Sequence, residues 1–342
     1  MSTPERKVET LIQTDATFTQ TLQYLGTDEY REQLLKKNLP PDDLEKTLSL
    51  VRSPEAMERR SLELLEASLD ELDKFYGQEG DIIIPFSGGR DSSSIAALTL
   101  GLFSGERANE RRIHLVTVLN GFSTQIEAPR RQALRIAEHM GRTVNSTFDP
   151  DIGHLYIDIS TFNGDFIMQT AEKDREDLGY PSFCSACKIG MEDTLVRLAR
   201  YLGTTHIALG YNEYQGRQQW PEQSPVQIEQ MQHYFMKKYP ESHVGSPFYR
   251  VFESPVDPVL VLGRLGFPLE THKDEMKCIA AGTNPRDIDT DRLRRFVENK
   301  LGELPNKQGN MTMSSRVVQP EQDYGETVVS FKGDSSFMEN TY

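Results

Sequence analysis

The stretch that most constrains this chain is Asp81-Ile-Ile-Ile-Pro-Phe86 followed at once by Ser87-Gly88-Gly89-Arg90-Asp91-Ser92-Ser93. A six-residue apolar run is too short for a helix and suits a strand buried on both faces, while a helical pattern starts near Asp91. Strand, glycine turn and helix in that order place backbone amides at a helix N-terminus, where their partial positive charge favours an anion. Gly88 and Gly89 let the main chain approach that anion with no side chain in the way, and Ser87, Ser92 and Ser93 add hydroxyl donors. Arg90 is suited to neutralising phosphate charge, and Asp91 to holding a magnesium ion beside the phosphates. No Gly-Lys-Ser/Thr and no Gly-x-Gly-x-x-Gly accompanies the turn, so neither a Walker loop nor a dinucleotide turn is present.

The same alternation continues. Ile113 to Leu119 reads as a second buried strand, Gln125 to Met140 as a helix stopped by Gly141, and Thr143 to Phe148 as a third strand. Cys187 to Leu202 carries Met191, Leu195, Leu198 and Leu202 at helical spacing before Gly203, and Thr205 to Leu209 reads as another strand. The pattern predicts an α/β fold, a doubly wound, Rossmann-like parallel sheet with helical additions at both ends. Residues 1–80 are expected to be helical, with Ser53-Pro54 capping a helix that presents Leu62, Leu65, Leu69 and Leu72 as a brace against the sheet domain. Residues 81–222 form the expected nucleotide-binding α/β domain, 223–303 a mainly helical part that completes the site, and 304–342 a polar, mobile tail.

The loop resembles the Ser-Gly-Gly-x-Asp-Ser PP-loop of the N-type ATP pyrophosphatases, whose fold is the adenine nucleotide alpha hydrolase type. The resemblance spans about Asp81 to Leu301 and implies cleavage of ATP to AMP and pyrophosphate while a substrate oxygen is adenylated. A later family strand ends in a Gly-His-Asn-like turn; here Gly210-Tyr211-Asn212 follows Leu209, which makes Gly210 and Asn212 nucleotide neighbours and leaves Tyr211 in place of the histidine. Glu213, Tyr214 and Gln215 depart from the acidic residues of many relatives, so a second magnesium contact there is not implied.

The chain has three cysteines, Cys184, Cys187 and Cys278, too few and too odd in number for a secreted disulfide scaffold. Cys184 and Cys187 form a C-x-x-C at a helix start, where the dipole is expected to lower thiol pKa. With Cys278, 91 positions on, the set is similar to that of tRNA-thiolating PP-loop enzymes, in which three cysteines hold a [4Fe-4S] cluster with one iron open. That likeness implies catalytic and iron–sulfur roles for all three cysteines alongside Asp91. Lys188 either balances the charge of such a cluster or is a solvated surface lysine. The residues alone leave other readings open: core or surface cysteines, a zinc site completed by a histidine such as His206 or His272, or a metal-free redox or persulfide pair.

The function this predicts is an ATP-dependent sulfurtransferase using ATP, Mg2+ and a [4Fe-4S] cluster. The rival readings are an amide-forming ligase that uses ammonia or an amine, with the cysteines structural or zinc-bound, and a nucleotide-binding regulatory module. A net charge of -14 disfavours a broad grip on nucleic acid or an anionic membrane, and the paired-cysteine zinc ribbons of many tRNA-thiolating relatives are missing from the N-terminal helices. A small molecule is therefore the expected substrate ahead of tRNA, with the sulfur donor unspecified and a homodimer compatible with the sequence. The start MSTPERKVET lacks a secretory apolar run and no stretch is long enough to span a bilayer, so a cytoplasmic location is expected.

Overall fold

The computed structural model describes residues 15–37, 39–77, 80–103, 111–140, 152–168, 170–180, 183–217, 220–268, 276–278, 289–304, 311–316 and 326–331. Four helices open the chain: α1 (Asp15–Leu25), α2 (Asp28–Leu35), α3 (Pro41–Val51) and α4 (Pro54–Phe75). The long α4 starts where Ser53 Oγ accepts from Ala56 N at 3.1 Å and Pro54 takes the first turn, in which no intrahelical N–H is needed. Its buried stripe is Met57, Ser61, Leu64, Leu65, Ser68, Leu69 and Leu72; Leu62, expected on that face, is only half-buried, because Leu64 takes the inward position.

The alternating part then runs β1 (Ile82–Pro85), α5 (Arg90–Leu102), β2 (Ile113–Leu119), the short β3 (Ser123–Thr124), α6 (Ala128–His139), β4 (Ile152–Asp158), α7 (Ser160–Met168), α8 (Ala171–Leu178), α9 (Phe183–Leu202), β5 (His206–Ala208) and α10 (Glu213–Arg217). It continues with α11 (Pro225–Lys238), β6 (His243–Gly245), α12 (Asp257–Arg264), β7 (Lys277–Cys278), α13 (Thr290–Glu303), β8 (Met311–Arg316) and β9 (Glu326–Phe331). The main sheet has the order β6-β5-β1-β2-β4-β9-β8, parallel throughout except for the β8–β9 pair. Helices cover both faces. Ile82, Ile84, Ile113 and Leu115 point into a core shared with the N-terminal helices, α5 and α12, whereas Ile83, Val116 and Val118 point into one shared with α9, α11 and α13. This two-residue alternation along a doubly covered strand is what makes the sheet doubly wound.

Some sequence expectations change or fall outside the described residues. The third strand expected at 143–148 lies outside the described residues, and the strand that pairs with β2 is β4. The helix expected from Cys187 begins earlier, at Phe183, which keeps Cys184 and Cys187 at the helix start as expected. The tail expected from 304 onward contains β8 and β9, the latter pairing parallel with β4 through Leu155↔Thr327 to Asp158↔Ser330; the β-branched run Thr327-Val328-Val329 is strand-forming despite its polar surroundings. Likewise the mainly helical 223–303 region contributes β6 to the sheet edge.

Strand order reverses at β1: the chain moves outward to β2 and β4 on one side and to β5 and β6 on the other. Such a reversal opens a crevice at the carboxyl ends of the two diverging strands, here between the loops that follow β1 and β5.

Candidate nucleotide and thiol site

The loop after β1 is held from three sides. Phe86 N donates to Val116 O at 2.7 Å, Thr117 Oγ1 donates to Phe86 O at 2.6 Å, and Met276 N donates to Ser87 O at 3.0 Å. Gly88 has φ +76°, a left-handed conformation that side chains disfavour, and Gly89 caps α5 in extended geometry. Ser93 Oγ donates to Gly88 O at 3.2 Å, Ser92 Oγ to Gly89 O at 3.0 Å, and Gly89 N to Ser87 Oγ at 3.3 Å. The serines thus brace the turn internally, and the hydroxyl of buried Ser93 serves the loop rather than the open space.

A cavity of about 490 Å³ opens on this loop. Its lining includes Ser87, Gly89, Arg90, Asp91, Ser92 and, from the turn after β5, Gly210. Gly88, Ser93 and Asn212 stand behind that lining. Asn212 is 1% exposed, and neither its Oδ1 nor its Nδ2 has a partner of good hydrogen-bond geometry, although the side chain is close enough to Asp91 to favour its charged form. Burial raises the Asp91 pKa, opposed by the Arg90 charge and by Asn212. Tyr214 Oη donates to Asp91 Oδ1 at 3.3 Å and Gln215 Nε2 to Oδ2 at 2.9 Å, so these two side chains orient the carboxylate. Lys37, just beyond α2, also lines the cavity, and its charge acts on Asp91; buried Tyr30 on α2 stands beside Arg90. The N-terminal helices therefore supply part of the wall.

The three thiols lie near enough for Cys187 and Cys278 to act on Cys184; none is in a disulfide and none lines the cavity, although Lys188 and Glu222 of its lining also act on Cys184. Cys184 and Cys187 project from the start of α9, and Cys278 lies on β7, paired in register with Ser123 of β3. Ser123 Oγ donates to Asn120 Oδ1 at 2.7 Å, while Asn120 Nδ2 donates to Cys187 Sγ at 3.4 Å and Asn163 Nδ2 donates to the same sulfur at 3.2 Å. The expectation that the helix start lowers thiol pKa is overturned. Burial dominates and, with Glu222 and the other two thiols, pushes Cys184 up to about 12; burial also raises Cys187, against the pull of Asn163 and Asn120. Among the described residues no group of three or more His, Cys, Asp or Glu side chains is placed to hold a metal ion. Of the histidines weighed as a zinc ligand, His206 starts β5 at the opposite end of the sheet, stacked on His243 at 5.1 Å, and His272 lies outside the described residues.

Between loop and thiols lies a charged wall whose function the sequence does not announce. Lys188, Met191, Glu192 and Leu195 of α9 line the cavity at helical spacing, joined by Tyr211, Trp220 and Glu222. Tyr211 Oη donates to Glu192 Oε1, and Lys188 Nζ lies 5.2 Å from the Tyr211 ring centroid. Burial raises Glu192 to about 7, against the Tyr211 hydrogen bond and the Lys188 charge. Burial likewise raises Glu222, which is 4% exposed and whose Oε2 has no partner.

No protein-family model matches this chain, and no curated protein does. Solved structures do match. One is the U34-tRNA thiolase NcsA from Methanococcus maripaludis with its [4Fe-4S] cluster, to which this chain is 15% identical with a TM-score of 0.39, over 71% of this chain and 81% of that one.

Proposed function

We propose that this chain is an ATP-dependent sulfurtransferase of the PP-loop type, which adenylates a substrate oxygen and replaces it with sulfur. The reading rests on one observation: a glycine-turned anion loop lines a cavity at the sheet's switch point, and Lys188 and Glu222 of the same lining act on Cys184, as do Cys187 and Cys278. Either half alone has many uses; together they match a reaction that first makes an oxygen a leaving group and then displaces it.

In this reading the inward amides of the loop and the N-terminus of α5 take the triphosphate, with Arg90 and Lys37 neutralising its charge. Asp91 keeps a lone pair on each oxygen beyond its bonds to Tyr214 and Gln215, which suits a magnesium ion shared with the phosphates. Gly210 leaves room for the nucleotide, and Asn212 backs the turn. The acceptor oxygen attacks the α-phosphorus, pyrophosphate leaves, and the acceptor carries AMP into the space faced by α9.

The thiols fit an iron–sulfur group by their donor chemistry. Burial and the neighbouring thiols raise the pKa of Cys184 and Cys187, which leaves them poorly stable as bare thiolates; a cationic cluster would remove that conflict, and the amide N–H donors on Cys187 Sγ are of the kind that tune such a ligand. Cys184, Cys187 and Cys278 would hold it, and a cluster bound by three cysteines supplies an iron with no protein ligand, open to sulfur. The acceptor is a small molecule rather than tRNA, on the grounds of the -14 net charge.

The test is iron and sulfide analysis of anaerobically prepared, reconstituted protein, together with ATP calorimetry. The expected result is a brown protein that binds ATP and loses its iron–sulfur absorbance in Cys278→Ala. Iron-free, colourless protein after reconstitution, or turnover untouched by alanine at the three cysteines, would overturn sulfur transfer in favour of the amide-forming reading.

A further inference from the structure

Phe86, the last residue before the glycine turn, is gripped through its carbonyl as well as its amide. Its N–H donates to Val116 O at 2.7 Å, and its oxygen accepts from Thr117 Oγ1 at 2.6 Å. Both partners belong to β2. The amide joining Phe86 to Ser87 is planar and trans, so a carbonyl turned toward β2 sends the Ser87 N–H the opposite way, to the β5 side, where Gly210 lines the cavity. The Thr117 hydroxyl thereby aims the first amide of the anion loop.

A proton count fixes what stands behind Thr117. A hydroxyl has one proton and a carbonyl can only accept, so the Thr117 proton is spent on Phe86 O. His154 Nε2 lies 2.9 Å from the same hydroxyl oxygen. Burial, helped by the Arg130 charge, lowers the His154 pKa to about 3, so the ring is neutral and carries a single N–H. That N–H sits on Nε2, because an unprotonated Nε2 would set one lone pair against another. Nδ1, buried and without a hydrogen-bond partner among the described residues, is the bare nitrogen. Packing fixes the ring in this orientation. It makes edge-to-face contacts with Phe86 at 6.1 Å and Tyr156 at 4.7 Å between centroids, and the Tyr156 hydroxyl is anchored to Ile126 O at 2.8 Å.

Resting on the adenylation reading for its nucleotide, we propose that His154, which does not line the cavity, is a positioning residue for the phosphate turn: as the Nε2–H tautomer it holds the Thr117 hydroxyl on the Phe86 carbonyl and so keeps the Ser87 amide aimed at the bound phosphates. Thr117 and His154 are both buried in the sheet, where valine and leucine would fill the same places without desolvating a hydroxyl and an imidazole. What the polar pair adds is direction. The Nε2–H draws electron density from Oγ1 and makes its O–H a better donor to Phe86 O, so the two bonds strengthen each other in series.

The experiment titrates α,β-methylene-ATP calorimetrically into wild type, Thr117→Val, His154→Leu, His154→Gln and the double variant Thr117→Val/His154→Leu, with thermal midpoints to report folding. Thr117→Val is expected to weaken the analogue roughly tenfold and His154→Leu roughly fivefold. His154→Gln, whose amide nitrogen reaches the place of Nε2, should return to within about twofold of wild type, a rescue that side-chain bulk alone does not give. The double variant should bind no more weakly than Thr117→Val, because the histidine acts only through the threonine. Wild-type affinity in the folded valine and leucine variants, a glutamine variant as weak as the leucine one, or losses that multiply in the double variant overturns the proposal. Should the valine or leucine variant not fold, nitrogen-15 NMR of the wild-type histidine side chains decides it. The His154 signal, identified by its absence in His154→Gln, is expected to be protonated at Nε2 and bare at Nδ1, and the opposite tautomer overturns the proposal. Wild type that does not bind the analogue is the separate failure of the adenylation reading, and the tautomer then still tests the place of His154 behind Thr117.

Discussion

Replacing Gly88 with alanine tests whether the loop's shape is what grips nucleotide. Gly88 sits at φ +76°, where an L-residue costs roughly 1–2 kcal/mol. The variant has two ways to respond. If the loop keeps its conformation, the strain is borne by the fold, and at roughly 2–4 °C per kcal/mol the thermal midpoint falls by roughly 2–8 °C with ATP affinity nearly intact. If φ relaxes to negative values, the Gly88 carbonyl leaves Ser93 Oγ, 3.2 Å away, and the amide of Gly89 leaves Ser87 Oγ, 3.3 Å away. The following amides then turn from the cavity and ATP binding weakens at least tenfold, equivalent to about 1.4 kcal/mol. Gly210→Ala is the matched control for the thermal midpoint alone, since Gly210 also lines the cavity: it is outside the left-handed region and an added Cβ would meet Ser92 N at 3.7 Å, an ordinary contact. It should cost less than roughly 0.5 kcal/mol. Scanning fluorimetry and ATP calorimetry on both variants decide the matter. A Gly88→Ala protein with wild-type midpoint and wild-type ATP affinity, or one less perturbed than Gly210→Ala, would refute the reasoning.

Two further perturbations follow from the same geometry. Lys37→Ala should weaken ATP roughly tenfold while changing AMP less than threefold, since a lysine beside Asp91 serves the outer phosphates; equal losses for both nucleotides in calorimetry would assign it a structural role. Glu192 has a folded pKa of about 7 against an ordinary 4.5, so ionising it costs the folded state: wild type is unpenalised below pH 4.5 and loses stability as pH rises from there to about 7. Glu192→Gln should remove that slope and, above pH 7, gain on the order of 3 kcal/mol at about 1.4 kcal/mol per pH unit. Urea unfolding of both proteins from pH 4 to 8 reads the difference, and parallel curves would show that the carboxyl is not buried against its charge.

What was legible in the sequence was whatever depended on local period. Ile113–Leu119 is apolar at nearly every position and gives its strand limits directly, and the Ser87–Ser93 turn is legible because glycine, serine and a following helix leave few alternatives. β4 was hidden because Gly153 and His154 interrupt its apolar pattern; His154 is nevertheless buried, its Nε2 2.9 Å from Thr117 Oγ1, and burial lowers its pKa to about 3. The candidate site divides in the same way. Cysteines and glycines advertise themselves, but Lys37, Lys188, Glu192 and Glu222 are charged residues on helical or loop segments, where solvation is the ordinary expectation. Only the fold shows that α9 turns two of them inward, and only the docking of the N-terminal helices brings Lys37 across to the loop. The helix-dipole argument for the thiols failed for a related reason, since depth in the core is a property of tertiary packing and outweighs a terminal partial charge.

The hydrogen bond from Met276 N to Ser87 O places the phosphate turn and the third thiol two residues apart along one short piece of backbone, whose far end is zipped to Ser123. The Ser87 carbonyl cannot swing to greet an incoming polyphosphate without either dragging Met276 or releasing it. On the function proposed above, a nucleotide that moved the Ser87 carbonyl would also move Met276 and, two residues on, Cys278, so that nucleotide and thiol would be coupled through three residues of backbone rather than through a moving domain.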